Sequence, residues 1–339
     1  MSSTLFRRRA FAAASLATAS VFVLAACSSG GGEATPEPTD NGDTTASESY
    51  TIGINQLVQH PALDAAAEGF IAAFEDAGID VEWDAQNANG EQSTALTIAQ
   101  TFSSNSDLDM VLAIATPAAQ STIQAVADRP VLFTAVTDPV AADIVDSMDA
   151  PGGNSTGTSD MAPIEDQFKL IQELVPDVAT VGIVYSSGEV NSEVQVEEAQ
   201  VAAEGLGIEL KTQTVTSVND IQQAVDALGS VDAIWVPTDN MVVSGIASLI
   251  QVAEQNQIPV IGSEAGTVEG GAIATLGIDY FQLGYQTGEM AIEILEGADP
   301  ASMAVQTAND FTYVVNPGAA ERMGVEIPQS ILDQAETVE

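Results

Sequence analysis

The chain has 339 residues, with 49 aspartates and glutamates against 7 lysines and arginines, which gives a formal net charge of −42. Arg7, Arg8 and Arg9 precede every acidic residue, so removal of residues 1–26 leaves a charge of 4 − 49 = −45. This charge excludes a nucleic-acid-binding protein, which needs clustered lysine and arginine, and a protein that binds anionic membranes unaided. One cysteine and one histidine exclude an intrachain disulfide and the usual zinc sites, and no motif indicates a bound cofactor.

The first 26 residues have the pattern of an export signal. Three arginines precede a weakly apolar run of 17 residues, Ala10–Ala26, which is too short and too polar for a membrane-spanning helix. Leu-Ala-Ala-Cys at 24–27 resembles the lipobox of bacterial lipoproteins, which implies cleavage after residue 26 and a lipid on Cys27. A cysteine buried as a small apolar residue is the alternative. Residues 8–11 also resemble a twin-arginine signal, so Sec export and twin-arginine export both stay open.

Residues 28–49 lack hydrophobic periodicity and are rich in Ser, Thr, Gly, Pro and acidic residues. Such a segment cannot bury enough apolar surface to become ordered. We therefore expect residues 27–49 to be a disordered tether, with the lipid on Cys27 as the only anchor to the outer face of the cytoplasmic membrane.

From Tyr50 onward, short apolar runs alternate with amphipathic stretches, a pattern typical of parallel sheets covered by helices. The predicted strands are Thr51–Leu57, Val81–Asn87, Met110–Ala115, Val131–Val136, Thr156–Ser159, Val181–Tyr185, Glu209–Val215, Ala233–Pro237, Pro259–Gly262, Ala272–Leu276 and Phe311–Val315. The predicted helices include Ala62–Ala77, Glu91–Ser103, Ala118–Ala127, Ile164–Leu174, Asn191–Leu206, Val218–Leu228, Val242–Asn256 and Phe281–Glu296. Eleven strands exceed one sheet of ordinary width, so we expect an α/β fold with two lobes and a first boundary near Pro151–Asn154.

Small and amide-bearing polar residues follow nearly every predicted strand. Ligands of doubly wound sheets bind outside the carboxyl ends of the strands, so these residues are candidate ligand contacts. The candidates are Gln56, His60, Thr116, Ala118, Thr137, Asp138, Ser187, Glu189, Asn191, Thr238, Asp239, Asn240, Glu264, Asp279 and Tyr280. The alternative is that the Thr, Asp, Asn and Ser residues cap the helices that follow.

The scarcity of cations determines which ligand charges such a site accommodates. Arg129 precedes its strand and Lys211 lies within one, so a ligand carboxylate is expected to bind backbone N–H groups at a helix start, with Thr116 as the best candidate. A ligand ammonium suits an acidic side chain with neutral orienting partners. The candidates are Asp138, Asp239, Glu264 and Asp279, with Asn240, Gln56 and Tyr280 as partners. We expect a zwitterion or a cation rather than a polyanion.

Several stretches, in order along the chain, resemble one bacterial family. They are Ile54–Gln56 with His60–Asp64, Ala115–Gln120, Phe133–Val140, Pro151–Asn154 and Pro237–Asn240. The family is that of the ABC-transporter substrate-binding lipoproteins that includes tryptophan- and tyrosine-binding members, and the resemblance extends from about residue 50 to about residue 325. It implies a type I periplasmic-binding-protein fold, in which two Rossmann-like lobes with parallel sheets, joined by a hinge of three crossings, close on a ligand.

The resemblance also implies lobe limits and partners. The N-terminal lobe is expected at 50–160 plus about 279–298, and the C-terminal lobe at 161–278 plus about 299–339. The expected protein is a monomer that captures a small zwitterion, an aromatic or other apolar L-amino acid, and delivers it to a permease and its cytoplasmic ATPase. A ligand-sensing lipoprotein that signals through the same closure is the alternative, since both functions need only a cleft and a mobile hinge.

Gly153–Gly157 also matches G-x-S-x-G, the nucleophile elbow of α/β hydrolases, with Ser155 in the nucleophile position. The elbow follows a strand and opens a helix, whereas this segment precedes a predicted strand. His60, the sole histidine, also lies upstream of Ser155, contrary to the hydrolase order. We therefore expect no enzymatic activity, with a hydrolase as the more distant alternative.

Overall fold

The computed structural model describes residues 49–308 and 311–338. The expected signal peptide at 1–26, the expected lipid on Cys27 and nearly all of the expected tether lie outside these residues. In the part of the chain that the structure describes, no helix combines the length and apolar character needed to cross a membrane.

Strands and helices alternate along the described residues. The strands are β1 (Tyr50–Gln56), β2 (Val81–Asn87), β3 (Met110–Ile114), β4 (Val131–Val136), β5 (Ser155–Ser159), β6 (Thr180–Ser186), β7 (Glu209–Val215), β8 (Ala233–Val236), β9 (Val260–Gly262), β10 (Ala274–Ile278), β11 (Gln306–Thr307), β12 (Phe311–Val315) and β13 (Glu336–Thr337). The α-helices are α1 (Pro61–Ala77), α2 (Gln92–Ser104), α3 (Thr116–Ala125), α4 (Ile164–Leu174), α5 (Val190–Leu206), α6 (Ile221–Leu228), α7 (Asn240–Ser244), α8 (Ile246–Asn256), α9 (Ala265–Glu269), α10 (Tyr280–Leu295), α11 (Pro317–Met323) and α12 (Gln329–Leu332).

Two sheets form the centres of two lobes. The strand order is β11-β5-β4-β3-β1-β2 in the first sheet and β13-β12-β10-β9-β8-β6-β7 in the second. Every pairing is parallel except that of β10 with β12. β3, β4 and β8 are buried along their whole length, as expected for parallel strands covered on both faces. The predicted two-lobed α/β fold is therefore confirmed.

The chain passes between the lobes after β5, after β10 and after β11. The last of these crossings lies later than the expected boundary at about residue 299. Gln306 and Thr307 still belong to the first sheet, because they pair with Thr158 and Ser159 of β5. A two-residue strand is too short to show hydrophobic alternation, which is why the sequence pattern does not predict β11.

Close packing of α1 against α10 positions two sides of the site described below. A Cβ atom on Gly69 of α1 would overlap the backbone oxygen of Phe281, and one on Gly284 of α10 would overlap that of Ala66. Only glycine allows this approach, since the side chain of any other residue would force the helices apart. The starts of the two helices are thereby fixed side by side at the edge of the first lobe.

The predicted helix Val242–Asn256 is in fact two helices, α7 and α8, separated at Gly245. A Cβ atom at this position would lie 2.5 Å from Cδ1 of Ile221, so the backbone passes close to α6 here. The short helices α9, α11 and α12 are not predicted by the sequence, because four to seven residues do not establish a 3.6-residue period.

Candidate ligand-binding site between the lobes

A cavity lies between the lobes at the carboxyl ends of the strands, and it contains about 290 Å³ of space between atoms. Its first-lobe wall consists of His60, Ala62, Leu63, Ala135, Thr137, Asp160 and Tyr280. Its second-lobe wall consists of Asn191, Thr238, Asp239, Asn240, Val243 and Glu264. Among the described residues that line this cavity there is no lysine or arginine. This position is the one at which open α/β sheets bind ligands.

Polar side chains of the two lobes meet across the cavity. Nε2 of His60 lies 3.5 Å from Oδ1 of Asn240, and Oγ1 of Thr137 lies 3.5 Å from Oγ1 of Thr238. The structure is therefore that of a closed form, in which both walls contribute to one enclosed space.

The start of α1 forms one side of the first-lobe wall. His60 precedes the helix with an extended backbone, and Pro61 begins it, which suits proline because the first helical N–H has no partner within the helix. No side chain in the described part of the chain caps α1, and Ala62 and Leu63 of its first turn line the cavity. The wall thus presents the positive end of a 17-residue helix, a good environment for an anionic group.

His60 is neutral at pH 7. Burial lowers the pKa of its ring to about 4, although the hydrogen bond to Asn240 and the charge of Asp64 oppose this effect. Its Nδ1 atom is buried and has no hydrogen-bond partner among the described residues. The ring therefore serves as a neutral polar contact, not as a cation for a ligand carboxylate.

Asp160 joins two of the hinge crossings. It follows β5, and its carboxylate accepts hydrogen bonds from the Tyr280 hydroxyl at 2.7 Å and from Oγ1 of Thr137 at 3.0 Å. Tyr280 begins α10, directly after the crossing from the second lobe. Burial raises the pKa of Asp160, and the two hydrogen bonds oppose this rise. The Asp160–Tyr280 contact therefore fixes the two crossings relative to each other at the edge of the cavity.

Glu189 is an internal part of the second lobe. Its carboxylate accepts hydrogen bonds from the backbone N–H groups of Asn240 and Met241, both at 3.1 Å. It also accepts from the side-chain amides of Asn240 at 2.6 Å and Asn191 at 3.1 Å. Burial, followed by the charge of the nearby Asp239, raises the pKa of Glu189. These bonds fix the start of α7, and Glu189 itself is not in the cavity lining.

Asp239 has a similar role. It caps α7 by accepting from the backbone N–H of Val242 at 2.8 Å, and it also accepts from the Ser186 N–H at 2.5 Å and the Ser192 hydroxyl at 2.7 Å. Burial raises the pKa of Asp239, and these hydrogen bonds oppose the rise. Its two oxygens are therefore already engaged by the second lobe.

Glu264 differs from these two acids because one of its oxygens is unused. Oε2 accepts a hydrogen bond from the Gly266 N–H at 2.7 Å, whereas Oε1 is buried without a partner among the described residues. The side chain is only 2% exposed. Burial raises the pKa of Glu264 to about 7, and the negative charges of Glu269 and Asp160 add to this rise.

Buried Gln167 holds the backbone next to Glu264. Its amide donates to the carbonyl oxygens of Ser263 at 3.1 Å and Leu276 at 2.8 Å, and it accepts from Nε1 of Trp235 at 3.0 Å. The residue after β9 and the centre of β10 are thereby hydrogen-bonded to the core of the second lobe. Glu264 consequently projects from a rigid support rather than from a mobile loop.

The structure brings a majority of the predicted site residues to the cavity. Those that line it are His60, Thr137, Asn191, Thr238, Asp239, Asn240, Glu264 and Tyr280, and those that do not are Gln56, Thr116, Ala118, Asp138, Ser187, Glu189 and Asp279. Several of the latter have structural partners: Gln56 donates to Asp64, Asp138 accepts from the Val140 and Ala141 N–H groups, and Asp279 caps α10. Thr116, expected to help bind a carboxylate, lies outside the lining, whereas the first turn of α1 lies within it.

The cavity also contains residues that the sequence did not indicate, namely Ala62, Leu63, Ala135, Asp160 and Val243. Asp160 follows a strand directly, so the same strand-end rule would have found it. Ser155, the nucleophile of the alternative hydrolase, does not line the cavity, and its hydroxyl donates to the carbonyl oxygen of Ile144 at 3.1 Å.

Two lobes that enclose a cavity at the carboxyl ends of their strands define a type I periplasmic binding protein. Residues 51–339 match the family described as ABC transporter substrate binding protein, and the chain belongs to this family. The resemblance seen in the sequence is thereby confirmed. The family is one of substrate-binding proteins rather than enzymes.

Three relatives are informative. A tyrosine-binding protein of Clostridioides difficile is 39% identical over 292 residues, which cover 85% of this chain and 84% of that protein. A structure from Streptococcus pneumonia in complex with L-Trp is 38% identical with a TM-score of 0.83, over 86% of this chain and all of that one. A ligand-free, open substrate-binding protein with adhesive properties from Clostridium difficile is 40% identical but has a TM-score of 0.67, over 86% and 99% of the two chains. At nearly equal identity, the present structure is therefore more similar to the complex than to the open form.

Proposed function

We propose that this protein is the extracytoplasmic receptor of an ABC importer. It captures an aromatic L-amino acid between its lobes and delivers it to the permease and its ATPase, while a lipid on Cys27 holds it at the outer face of the membrane. One observation carries the proposal. Among the described residues, Glu264 has an unpaired carboxylate oxygen and α1 has an N-terminus without a side-chain cap, and both border the same cavity.

The two ends of a zwitterion match these two features. The ligand ammonium binds Oε1 of Glu264, where a charge-assisted hydrogen bond offsets the burial of both charges. The ligand carboxylate binds the backbone N–H groups at the start of α1, with the neutral His60 ring beside it. Glu264 and the start of α1 are close to each other. Gly266, whose N–H donates a hydrogen bond to Glu264, is packed so near α1 that a Cβ atom on it would lie 3.3 Å from Cβ of Pro61.

The apolar part of the ligand lies between the lobes. Leu63 and Ala135 of the first lobe and Val243 of the second line the cavity, and the Tyr280 ring closes one side. The names of the tyrosine-binding relative and of the L-Trp complex support an aromatic side chain as the occupant.

The test is calorimetric titration of the purified protein with L-tryptophan and L-tyrosine. Two analogues separate the roles of the ends: tryptamine lacks the carboxylate and indole-3-propionate lacks the ammonium. We expect each analogue to bind at least about tenfold more weakly than L-tryptophan, because each leaves one end of the site without its partner. Indole-3-propionate that binds as tightly as L-tryptophan would contradict the role of Glu264.

Anchoring and delivery need separate measurements. In cells, Cys27→Ser is expected to release the protein from the membrane fraction, because the described residues contain no helix able to cross a membrane and the negative charge of the chain opposes binding to anionic lipid. Loss of radiolabelled L-tryptophan uptake on deletion of the gene, restored by the wild-type chain, would support delivery to a permease. A protein that binds the amino acid but leaves uptake unchanged on deletion would contradict transport.

A further inference from the structure

Asn191, in the second-lobe wall of the cavity, has a buried acceptor to which no partner has been assigned. Its Oδ1 atom has no hydrogen-bond partner in the described part of the chain, and the residue is only 2% exposed. The other unpaired buried atoms of residues that line the cavity are Oε1 of Glu264 and Nδ1 of His60. The ligand ammonium proposed above accounts for Glu264, and His60 lies at the start of α1, where the ligand carboxylate is proposed. Oδ1 of Asn191 therefore needs a donor of its own, since a buried acceptor without one is unfavourable.

The contacts of the Asn191 amide fix which of its two polar atoms is free. Nδ2 donates to the carbonyl oxygen of Thr238 at 2.9 Å and to Oε2 of Glu189 at 3.1 Å. Its third neighbour is Oγ of Ser192 at 3.4 Å, and that hydroxyl donates its own hydrogen to Asp239. A rotated amide would place Oδ1 against these acceptors, so the orientation is determined by chemistry. The free atom is an acceptor, and only a donor can satisfy it.

Asn191 is also held rigidly. It lies in the first turn of α5, and its backbone oxygen accepts from Nε2 of the buried Gln195 at 3.0 Å. Oε1 of Gln195 accepts in turn from the N–H of Thr238 at 3.0 Å. The helix start and the end of β8 are thereby joined at two points, through Gln195 and through the Asn191 amide. Such a fixed acceptor discriminates between ligands better than a mobile one, because it cannot turn away from a ligand that lacks a donor.

The strand order places Asn191 at the opposite side of the wall from Glu264. Glu264 follows β9 and Asn191 follows β6, and β8 lies between these two strands in the sheet. Two strand spacings separate them by about 10 Å, a distance comparable to the length of an extended aromatic amino acid. Val243, on the helix after β8, gives the same wall an apolar surface. A ligand whose ammonium binds Glu264 therefore has its side chain directed along this wall towards Asn191.

We propose that Oδ1 of Asn191 accepts a hydrogen bond from an N–H or O–H group on the side chain of the ligand. Asn191 is then the residue by which the site selects aromatic amino acids with a side-chain donor, L-tryptophan and L-tyrosine, over L-phenylalanine. This inference rests on the proposed function and adds to it a rule for the side chain. A ligand without the donor leaves Oδ1 buried and unpaired in the closed form, and it therefore binds more weakly.

The experiment compares pairs of ligands that differ in the donor alone. The purified full-length protein is titrated by calorimetry with L-tryptophan and with 3-benzothienyl-L-alanine, in which sulfur replaces the indole N–H at nearly the same size. L-Tyrosine and L-phenylalanine form the second pair. In each pair we expect the ligand without the donor to bind at least about tenfold more weakly. Benzothienylalanine that binds within about twofold of L-tryptophan would overturn the proposal.

A variant then identifies the acceptor. In Asn191→Ala the ratio of the two affinities within each pair should fall below about threefold, because no acceptor is left for either ligand to satisfy. The ratio tests recognition, since a general disturbance of the wall weakens both members of a pair alike. The control is Asn316→Ala, which removes an equally buried asparagine of the second lobe that caps α11 and does not line the cavity. We expect this control to keep the wild-type ratios.

The remaining outcomes separate this inference from the proposed function. An Asn191→Ala protein that keeps the full wild-type ratios would assign the hydrogen bond to another acceptor and overturn the role of Asn191. If Asn191→Ala does not fold, the two ligand pairs on the wild-type protein still decide whether the site selects for a donor. Equal affinities within both pairs would overturn the inference and leave the proposed function intact, whereas no binding of any of the four amino acids would refute both.

Discussion

The acids of the second lobe fall into two groups that differ in what occupies their oxygens. Glu189 and Asp239, at the ends of β6 and β8, accept hydrogen bonds from backbone and side-chain donors of their own lobe. Glu264, at the end of β9, is equally buried but keeps Oε1 unpaired among the described residues. Burial and charge alone therefore do not separate these acids, whereas the number of unused acceptor positions does, and this difference is the basis for proposing Glu264 as the ligand-binding acid.

The largest expected effect is a loss of stability, and it comes from the acids whose carboxylate oxygens are already hydrogen-bonded within the second lobe. Glu189→Ala removes the acceptor for the N–H groups of Asn240 and Met241 and for two side-chain amides, all buried or half-buried. We expect the free energy of unfolding to fall by at least about 3 kcal/mol, since each buried donor left unpaired costs about 1–3 kcal/mol. Urea denaturation of the ligand-free protein measures this loss.

The control for Glu189→Ala is Glu197→Ala, on the exposed side of α5, for which we expect a change within about 0.5 kcal/mol. Similar losses in the two variants would mean that Glu189 is not a structural acceptor, and the distinction between the two groups of acids would fail.

The pH dependence of stability is expected to be the next largest effect. Folding raises the pKa of Glu264 from 4.5 to about 7 and also raises those of Asp160, Glu189 and Asp239, so the stability they contribute is full below about pH 4.5 and is lost as the pH rises towards 7. The lowered pKa of His60, about 4 against 6.5, acts in the opposite direction over pH 4–6.5. Because four acids with raised pKa values oppose one histidine with a lowered pKa, the net stability is expected to fall as the pH rises.

We therefore expect the unfolding free energy of the ligand-free protein to fall by about 2–3 kcal/mol between pH 5 and pH 8. Denaturation curves at several pH values measure the slope. Glu264→Gln should make it flatter and His60→Gln should make it steeper. A stability that rises over this range in the wild type would contradict the raised pKa values.

Substitution of Glu264, whose Oε1 is unpaired, should lower the affinity for the ligand rather than the stability of the protein. Glu264→Gln keeps an acceptor for the Gly266 N–H but removes the negative charge that we propose to face the ligand ammonium. We expect the affinity for L-tryptophan to fall about tenfold to a hundredfold, the equivalent of about 1.5–3 kcal/mol for a charged hydrogen bond. The ligand-free variant should be no less stable than the wild type at pH 8, because it no longer buries a charge.

Glu269→Gln is the matched control for this affinity measurement, because it removes a neighbouring carboxylate that does not line the cavity. We expect it to change the affinity for L-tryptophan less than about twofold. A Glu264→Gln variant that binds L-tryptophan normally but unfolds more easily would place Glu264 in the same structural group as Glu189.

The sequence predicted the fold well because its signals are local. The strands β2, β4, β7 and β12 have the predicted bounds, since apolar runs between turn residues report on each strand by itself. The strand-end rule likewise placed Glu264 and Tyr280 among the candidates. What it could not predict is which polar residues the second lobe uses internally, because the donors to Glu189 and Asp239 come from residues up to 53 positions away.

The same limit explains the residues that the sequence missed or assigned differently. Thr116 and the start of α1 both present helix N-termini after a strand, and only the packing of the lobes shows that α1 reaches the cavity. Asp160 directly follows the predicted strand Thr156–Ser159, yet its contact with the cavity depends on the packing of the two lobes, which no local pattern reports. A hydrogen bond between Asp160 and Tyr280, 120 residues apart, is not encoded in any local pattern.

The smallest expected effect comes from the contacts of Asp160 in the first lobe. This acid resembles both Glu189, whose oxygens are engaged, and Glu264, which lines the cavity. Asp160 is engaged by Thr137 and Tyr280, as Glu189 is by its donors, yet it also lines the cavity. Tyr280→Phe removes one donor, and we expect a loss of about 1–2 kcal/mol in unfolding free energy. The control is Tyr285→Phe on α10, whose exposed hydroxyl contacts Asp76 at 3.3 Å and should contribute less than about 0.5 kcal/mol.

Because Tyr280 also begins the helix after a hinge crossing, Tyr280→Phe should bind L-tryptophan more weakly as well. An unchanged affinity alongside the stability loss would show that Asp160 acts only as an internal acceptor, so that ligand binding in this cavity depends on Glu264 alone among its acids.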